Sequence, residues 1–188
     1  MVVDVTVWTF AARPATARGP IVLDILARAL GTTAADVRID RRCRHCGHPE
    51  HGKPFVAGAA GLSFNVSHSG DVAVVAVALH AEVGADVEVL RPRRFLDRLA
   101  TRVLTDDEYA RWCALSSDAR LEAFLRSWTG REAYLKAIGL GLRAPLRDAL
   151  SEARGWTIAP IRGLTGAVGS VAVDAPARVT TRPYGPVP

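Results

Sequence analysis

Residues 62–89 read LSFNVSHSGDVAVVAVALHAEVGADVEV, and they divide into three segments of strand length. Leu62–His68, Val72–Leu79 and Val83–Val89 are rich in apolar and β-branched residues, with Ser69-Gly70-Asp71 and His80-Ala81-Glu82 between them. Connections this short join antiparallel neighbours, so the spacing predicts a three-strand meander. Its middle strand is apolar on both faces and is expected to be buried. On the third strand Asp86 and Glu88 are two residues apart, so both carboxylates leave one face. Two readings of the pair are open: a solvated acidic face, or a site for a hard cation such as Mg2+, which takes one or two carboxylates and fills its shell with water and phosphate oxygens. With simple hairpin register His68 lies two strands from Glu88, about 10 Å away at about 4.8 Å per strand. That separation suits the two ends of one polyphosphate.

Upstream, residues 2–10 (VVDVTVWTF) predict a strand. A helix is expected from Pro20, with Val22, Ile25, Leu26 and Ala29 on one face and Gly31 as its stop. Residues 40–61 read as a long functional loop. Downstream, Arg91, Arg93, Arg94 and Arg98 mark a basic connection, and Thr105-Asp106-Asp107-Glu108 has the spacing of a capping box that opens a helix. A longer helix follows, roughly Asp118 to Ile138, and three strand-like segments lie near Trp156–Ile161, Val168–Val173 and Arg178–Thr181. Each half of the chain, 1–90 and 91–188, therefore reads as a helix followed by a three-strand meander.

The long helix changes the odds for the carboxylate pair. Leu121, Phe124, Leu125, Trp128 and Leu135 form an apolar stripe, and Glu132 falls in its middle. Desolvation without a partner would raise its pKa and cost stability, so a cation should meet it inside the structure. A salt bridge with one of the many arginines would satisfy it. Lys136, one turn on, is another partner, or a group that faces a phosphate.

Composition narrows the classes. The chain has 188 residues, 24 Lys+Arg against 19 Asp+Glu, and a net charge of +5, so an anionic partner is favoured without being specified. Only Lys53 and Lys136 are lysines among those basic residues. The longest apolar run, Val72–Leu79, is too short to span a bilayer, and no basic n-region with a cleavage site opens the chain, so a cytoplasmic protein is expected. Cys43, Cys46, His48 and His51 have spacings that zinc accepts, but four ligands within nine residues make a cramped loop, with no second half-site. A reduced, solvent-facing loop is the competing reading.

GKPF at Gly52–Phe55, FNVSHSGD at Phe64–Asp71, GADVE at Gly84–Glu88 and WTGREAYLKAIG at Trp128–Gly139 together resemble, in order, the motifs of the 4'-phosphopantetheinyl transferases of the monomeric surfactin-synthetase-activating type. The capping-box helix and the GLGL loop after Lys136 match as well. The resemblance implies an α+β pseudo-dimer whose two similar halves hold coenzyme A between them. It implies that Asp86, Glu88 and Glu132 bind Mg2+, that Lys53 and His68 hold the coenzyme A phosphates, that Ser67 belongs to the nucleotide pocket, and that Lys136 sits beside the reacting phosphorus. A serine of an apo acyl or peptidyl carrier protein would attack the β-phosphate and adenosine 3',5'-bisphosphate would leave, with Glu132 or Lys136 as the base. Arg131 stands where the family usually has lysine. The region before residue 40 has no lysine, so Arg18, Arg41 and Arg42 are the substitutes for the family's usual N-terminal phosphate contacts.

Two other classes use the same residues. A Mg2+-dependent nuclease would employ clustered carboxylates with a lysine, and a non-catalytic carrier-protein or nucleic-acid binding module would leave them structural. Cleavage of DNA or RNA separates the first, and coenzyme A binding with Mg2+ separates the second. The transferase reading expects a monomer with no nucleic-acid or membrane partner. The basic segment Arg91–Arg98 is the expected dock for an acidic carrier.

Overall fold

The computed structural model describes residues 1–43, 46–48, 52–141 and 145–185. His51 of the Cys/His cluster and Leu142 of the GLGL loop fall outside these. The order of elements is β1 (Val3–Ala11), α1 (Ala15–Leu30), β2 (Ile39–Asp40), β3 (Phe55–Val56), β4 (Leu62–Ser69), β5 (Val72–Leu79), β6 (Val83–Val89), α2 (Leu96–Val103), α3 (Asp106–Cys113), α4 (Ser117–Ala137), β7 (Thr157–Pro160), β8 (Ala167–Val173) and β9 (Ala177–Pro183). This is an α+β fold. Helix α1 starts before Pro20 and carries that proline inside it. Since the helix begins at Ala15, the amide that proline lacks would have reached only the Thr16 carbonyl, in the first turn, where the loss costs less than in mid-helix. Helix α2 occupies what the sequence presents as a connection; Leu96, Leu99, Ala100 and Val103 supply its apolar face.

Neither expected meander closes on itself. Strands β4 and β5 pair antiparallel, but β6 leaves them and pairs with β8. Likewise β7 and β8 pair antiparallel, while β9 crosses to lie parallel to β1. The sheets are therefore β4-β5-β1-β9 and β6-β8-β7, with β2-β3 as a small separate hairpin. Each half gives its last strand to the other half's sheet. The physical reason is burial: an apolar strand such as β5, paired on both sides, needs cover on both faces. Val5, Val7, Val74, Ala76 and Ala78 of one sheet meet Val83, Ala85, Val87, Val171 and Val173 of the other in a shared core. Helix α1 covers the outer face of the first sheet through Ile25 and Leu26 against Phe64, Val75 and Val77. Helix α4 covers the second through contacts with β6 and β8.

The seam between the sheets is made by side chains. Strand β4 directs Ser63, Asn65, Ser67 and Ser69 at the edge of β6, where they accept from the amides of Val83 (3.1 Å), Ala85 (3.0 Å), Val87 (3.4 Å) and Val89 (3.2 Å). These are the β6 amides that face away from β8, and an unpaired edge of this kind must find acceptors. His68 therefore does not sit two ladder spacings from β6. It lies on the strand that flanks β6, with its side chain on the opposite face from Ser67.

Candidate active site

Three of the seam serines do a second thing. Ser63 donates to Glu82 Oε2 (3.0 Å), Ser67 to Asp86 Oδ1 (2.8 Å) and Ser69 to Glu88 Oε2 (2.7 Å). On the same oxygen each carboxylate also takes a cation: Lys53 on Glu82 (2.5 Å), Lys136 on Asp86 (2.6 Å) and Arg93 on Glu88 (2.5 Å). Two donors on one oxygen fix the carboxylate plane and turn the second oxygen away. For Asp86 that second oxygen, Oδ2, is buried and has no hydrogen-bond partner. Gly84 occupies the remaining position of this face, opposite Asn65, and leaves room for a helix.

Helix α4 lies in that room. A methyl group on Gly84 would collide with the Ala133 carbonyl oxygen and stand 2.5 Å from the Ala137 amide nitrogen, so the helix rests directly on the strand. This contact brings Glu132 and Lys136 alongside Asp86. Thr129, one turn earlier, shares a hydrogen bond of 2.9 Å with Ser170 of β8 and fixes the helix along its axis. Gly130 needs no such contact, because its nearest neighbours are at 3.5 Å or beyond; it is tolerated rather than required.

Glu132 is 6% exposed, and its Oε1 is a second buried carboxylate oxygen with no partner. Burial first, and then the Asp86 charge, push its carboxyl above the ordinary glutamate range, against the pull of Lys136. Burial likewise raises the Asp86 carboxyl, although Lys136 and Ser67 oppose it. Two orphaned carboxylate oxygens from separate elements, each driven toward protonation, are a pairing that a hard divalent cation relieves. The donor set fits Mg2+. Among the described residues no three His, Cys, Asp or Glu side chains are already grouped as a metal site. Cys43 is buried while Cys46 and His48 are exposed.

Lys136 Nζ donates to Ser67 Oγ (3.2 Å) as well as to Asp86. His68 is exposed, and partial burial, Arg18 and Lys136 hold its imidazole below its usual pKa. Arg18 of α1 and Lys136 thus both lie close enough to His68 to act on its charge. Arg41 and Arg42 are exposed; Gly52 donates to the Arg41 carbonyl (2.8 Å) and the Arg42 amide to Asp40 (2.9 Å). Lys53 is held by Ser63 (3.0 Å), Glu82 and the Ala137 carbonyl (3.0 Å), so it caps the C-terminal end of α4. It borders a cavity of about 180 Å³ lined also by Phe55, Leu62 and Ile138.

Arg131, next to Glu132, points the other way. It is 1% exposed and donates to Glu108 Oε2 (2.5 Å), the Leu146 carbonyl (3.0 Å) and Ser127. Glu108 is the capping-box partner of Thr105, so one half-buried ion pair ties α4 to the start of α3. Despite desolvation, the Thr105 amide and Arg131 hold the Glu108 carboxyl below its usual range.

A family model described as the 4'-phosphopantetheinyl transferase superfamily matches residues 82–172, the span that holds Asp86, Glu88, Glu132 and Lys136. The chain belongs to that superfamily. This family member is 39% identical over 127 residues to the 4'-phosphopantetheinyl transferase HetI of a Nostoc species, an alignment covering 68% of the chain and 52% of the relative. It is 43% identical over 90 residues to AcpT of Escherichia coli O157:H7, covering 48% and 46%, and 33% identical over 100 residues to a 4'-phosphopantetheinyl transferase of Bacillus subtilis, covering 53% and 43%. The chain thus spans about half the length of the curated relatives it matches. No helix among the described residues is long and apolar enough to cross a membrane.

Sequence reasoning missed Ser69, Asn65 and the inward role of Arg93. The signal was present as a period-two polar series, Ser63-x-Asn65-x-Ser67-x-Ser69. Nothing in it reveals that the series faces a strand of another sheet.

Proposed function

We propose that this protein transfers the 4'-phosphopantetheine moiety of coenzyme A to a serine of an apo acyl or peptidyl carrier protein and releases adenosine 3',5'-bisphosphate. The observation that carries the reading is the pair of orphaned buried oxygens, Asp86 Oδ2 and Glu132 Oε1, beside the Lys136 ammonium. These two carboxylates, with Glu88, would hold Mg2+, which when bound neutralises diphosphate charge. Lys136, His68, Ser67, Arg18 and Lys53 line the approach for the phosphates, with Arg41 and Arg42 as outlying contributors. The serine oxygen attacks the β-phosphorus and the bond to the leaving nucleotide breaks. Lys136 donates to two oxygens and supplies positive charge beside Asp86, and the serine proton passes to Glu132 or to Lys136. Incubation with coenzyme A, Mg2+ and an apo carrier tests this: one phosphopantetheine mass gained on the carrier serine is expected, and an unmodified carrier would overturn it.

Three further outcomes are expected. Lys136→Arg should keep the fold but lose at least tenfold in turnover, about 1.4 kcal/mol in the barrier, because a planar guanidinium does not fit where a compact ammonium meets both Asp86 Oδ1 and Ser67 Oγ. Near-wild-type turnover would reduce this position to a generic charge.

Glu132→Gln should raise the melting temperature in chelator-containing buffer while abolishing transfer. The folded-state pKa of Glu132 is raised, so the wild type loses stability as pH climbs above the ordinary glutamate range. Equal melting near pH 4 and a gain of roughly 2–4 °C at pH 8 are expected for the variant.

For docking, Arg91, Arg94 and Arg98 are exposed together with Phe95, which is 74% exposed, whereas Arg93 turns inward to Glu88. Charge reversal at Arg91 and Arg94 should therefore raise the carrier KM and its salt sensitivity with coenzyme A affinity unchanged. An unchanged carrier KM would remove this segment from the interface.

A further inference from the structure

Among the arginines that pair with glutamates, Arg131 and Arg93 are bonded very differently. Arg131 is buried and spends its donors on a carboxylate, a hydroxyl and main-chain carbonyls. Arg93 reaches Glu88 through Nη2 alone, and its Nε is buried with no acceptor. A guanidinium that binds a carboxylate through both Nε and Nη2 makes a fork of two bonds; this one makes half of it and leaves a desolvated donor unsatisfied. The pair is also within reach of water, with side chains 26% and 21% exposed. Ser69 holds the same oxygen, Oε2, and is neutral. Glu88 is therefore oriented by a group that cannot compete with a cation and neutralised by one that can.

We infer that Arg93 and a divalent cation are alternative partners of Glu88, so that Arg93 acts as a built-in competitor which lowers the affinity of the carboxylate cluster for the metal alone. The inference rests on the reading of Asp86, Glu88 and Glu132 as cation ligands. Its physical basis is charge: when ionised, as cation ligands must be, Asp86, Glu88 and Glu132 carry three negative charges, while Lys136 and Arg93 return two. A divalent cation entering beside both basic groups meets repulsion that falls only when one of them moves or when an anion arrives with it. Arg93, with one hydrogen bond and an orphaned nitrogen, is the cheaper to move. A cluster balanced in this way takes up its cation together with a diphosphate in preference to the bare ion.

The test is Mn2+ binding to the full chain without coenzyme A, followed by loss of the free-ion electron paramagnetic resonance signal. Arg93→Gln should bind Mn2+ about tenfold more tightly than the wild type, and Arg93→Lys, which keeps the charge, should stay within about threefold. In a Glu88→Gln background the Arg93→Gln gain should vanish. Arg93→Met gives the same comparison if glutamine disturbs the connection. Equal or weaker Mn2+ binding by both neutral variants, no detectable binding by any of the proteins, or an undiminished gain without Glu88 would overturn the inference. A protein that modifies the carrier while Arg93→Gln binds Mn2+ like the wild type keeps its function and loses this inference. Tighter binding without carrier modification would do the reverse.

Discussion

Alanine at Asp86 and alanine at Glu132 should each abolish carrier modification, on the order of 10³-fold or more, and the double variant should be little worse than either. Groups that act as one unit are strongly non-additive, because the first loss removes what the second would contribute. The structure supports a single unit: both residues present one buried, unpartnered oxygen, and the Asp86 charge raises the pKa of Glu132. Turnover of the singles and the double, with circular dichroism to verify folding, provides the check. Losses that add on a logarithmic scale would mean two independent roles.

The second large effect is expected at Gly84, which touches no substrate in the proposed reaction. Gly84→Ala places a methyl group against the Ala133 carbonyl and the Ala137 amide of α4. Neither can rotate away, as a flexible side chain could, so the helix must lift from β6. Overpacking of this kind costs about 3 kcal/mol, or roughly 10 °C in melting temperature for a chain of this size. Activity should fall further than stability, because lifting the helix separates Glu132 from Asp86. Thermal melting and turnover at 10 °C, where the variant is still folded, measure the two effects separately. A variant as active as the wild type at that temperature would show that the close approach is not what sets the carboxylate geometry.

Much of this architecture is legible in the residues because it is local. The capping box at Thr105 and Glu108, the ends of β5 and β6 and the stripe that buries Glu132 all follow from spacing within a few turns or a few residues of strand. The exchange of β6 and β9 between sheets is not local. A three-residue connection after Leu79 makes hairpin pairing the natural expectation, and only the tertiary demand for two covered faces overrides it. Arg93 is opaque for a related reason. Beside Arg91, Arg94 and Arg98 it looks like one more solvated charge, and its direction depends on how the chain leaves β6. Arg131 shows the opposite failure: beside Glu132 in sequence it invites a role in the same site, yet one step of about 100° around the helix carries it to Glu108.

The strand exchange also governs the order in which the molecule can be made. Strand β1, formed first, has β9 as its parallel neighbour, so pairings such as Val5 with Val179 join the two extremes of the chain. Strand β6 in turn waits for β8, some eighty residues later. A nascent polypeptide emerging from the ribosome can form α1 over β4 and β5, but it carries β6 with one edge unserved until most of the chain has been synthesised. Long-range pairing of this type folds slowly and leaves apolar edges open in the interval. The four polar side chains of β4 reach β6 across a separation of only twenty residues. They can occupy the opposite edge of that strand well before β8 exists, so the seam that aligns Asp86 and Glu88 can set before the sheet it adjoins is complete.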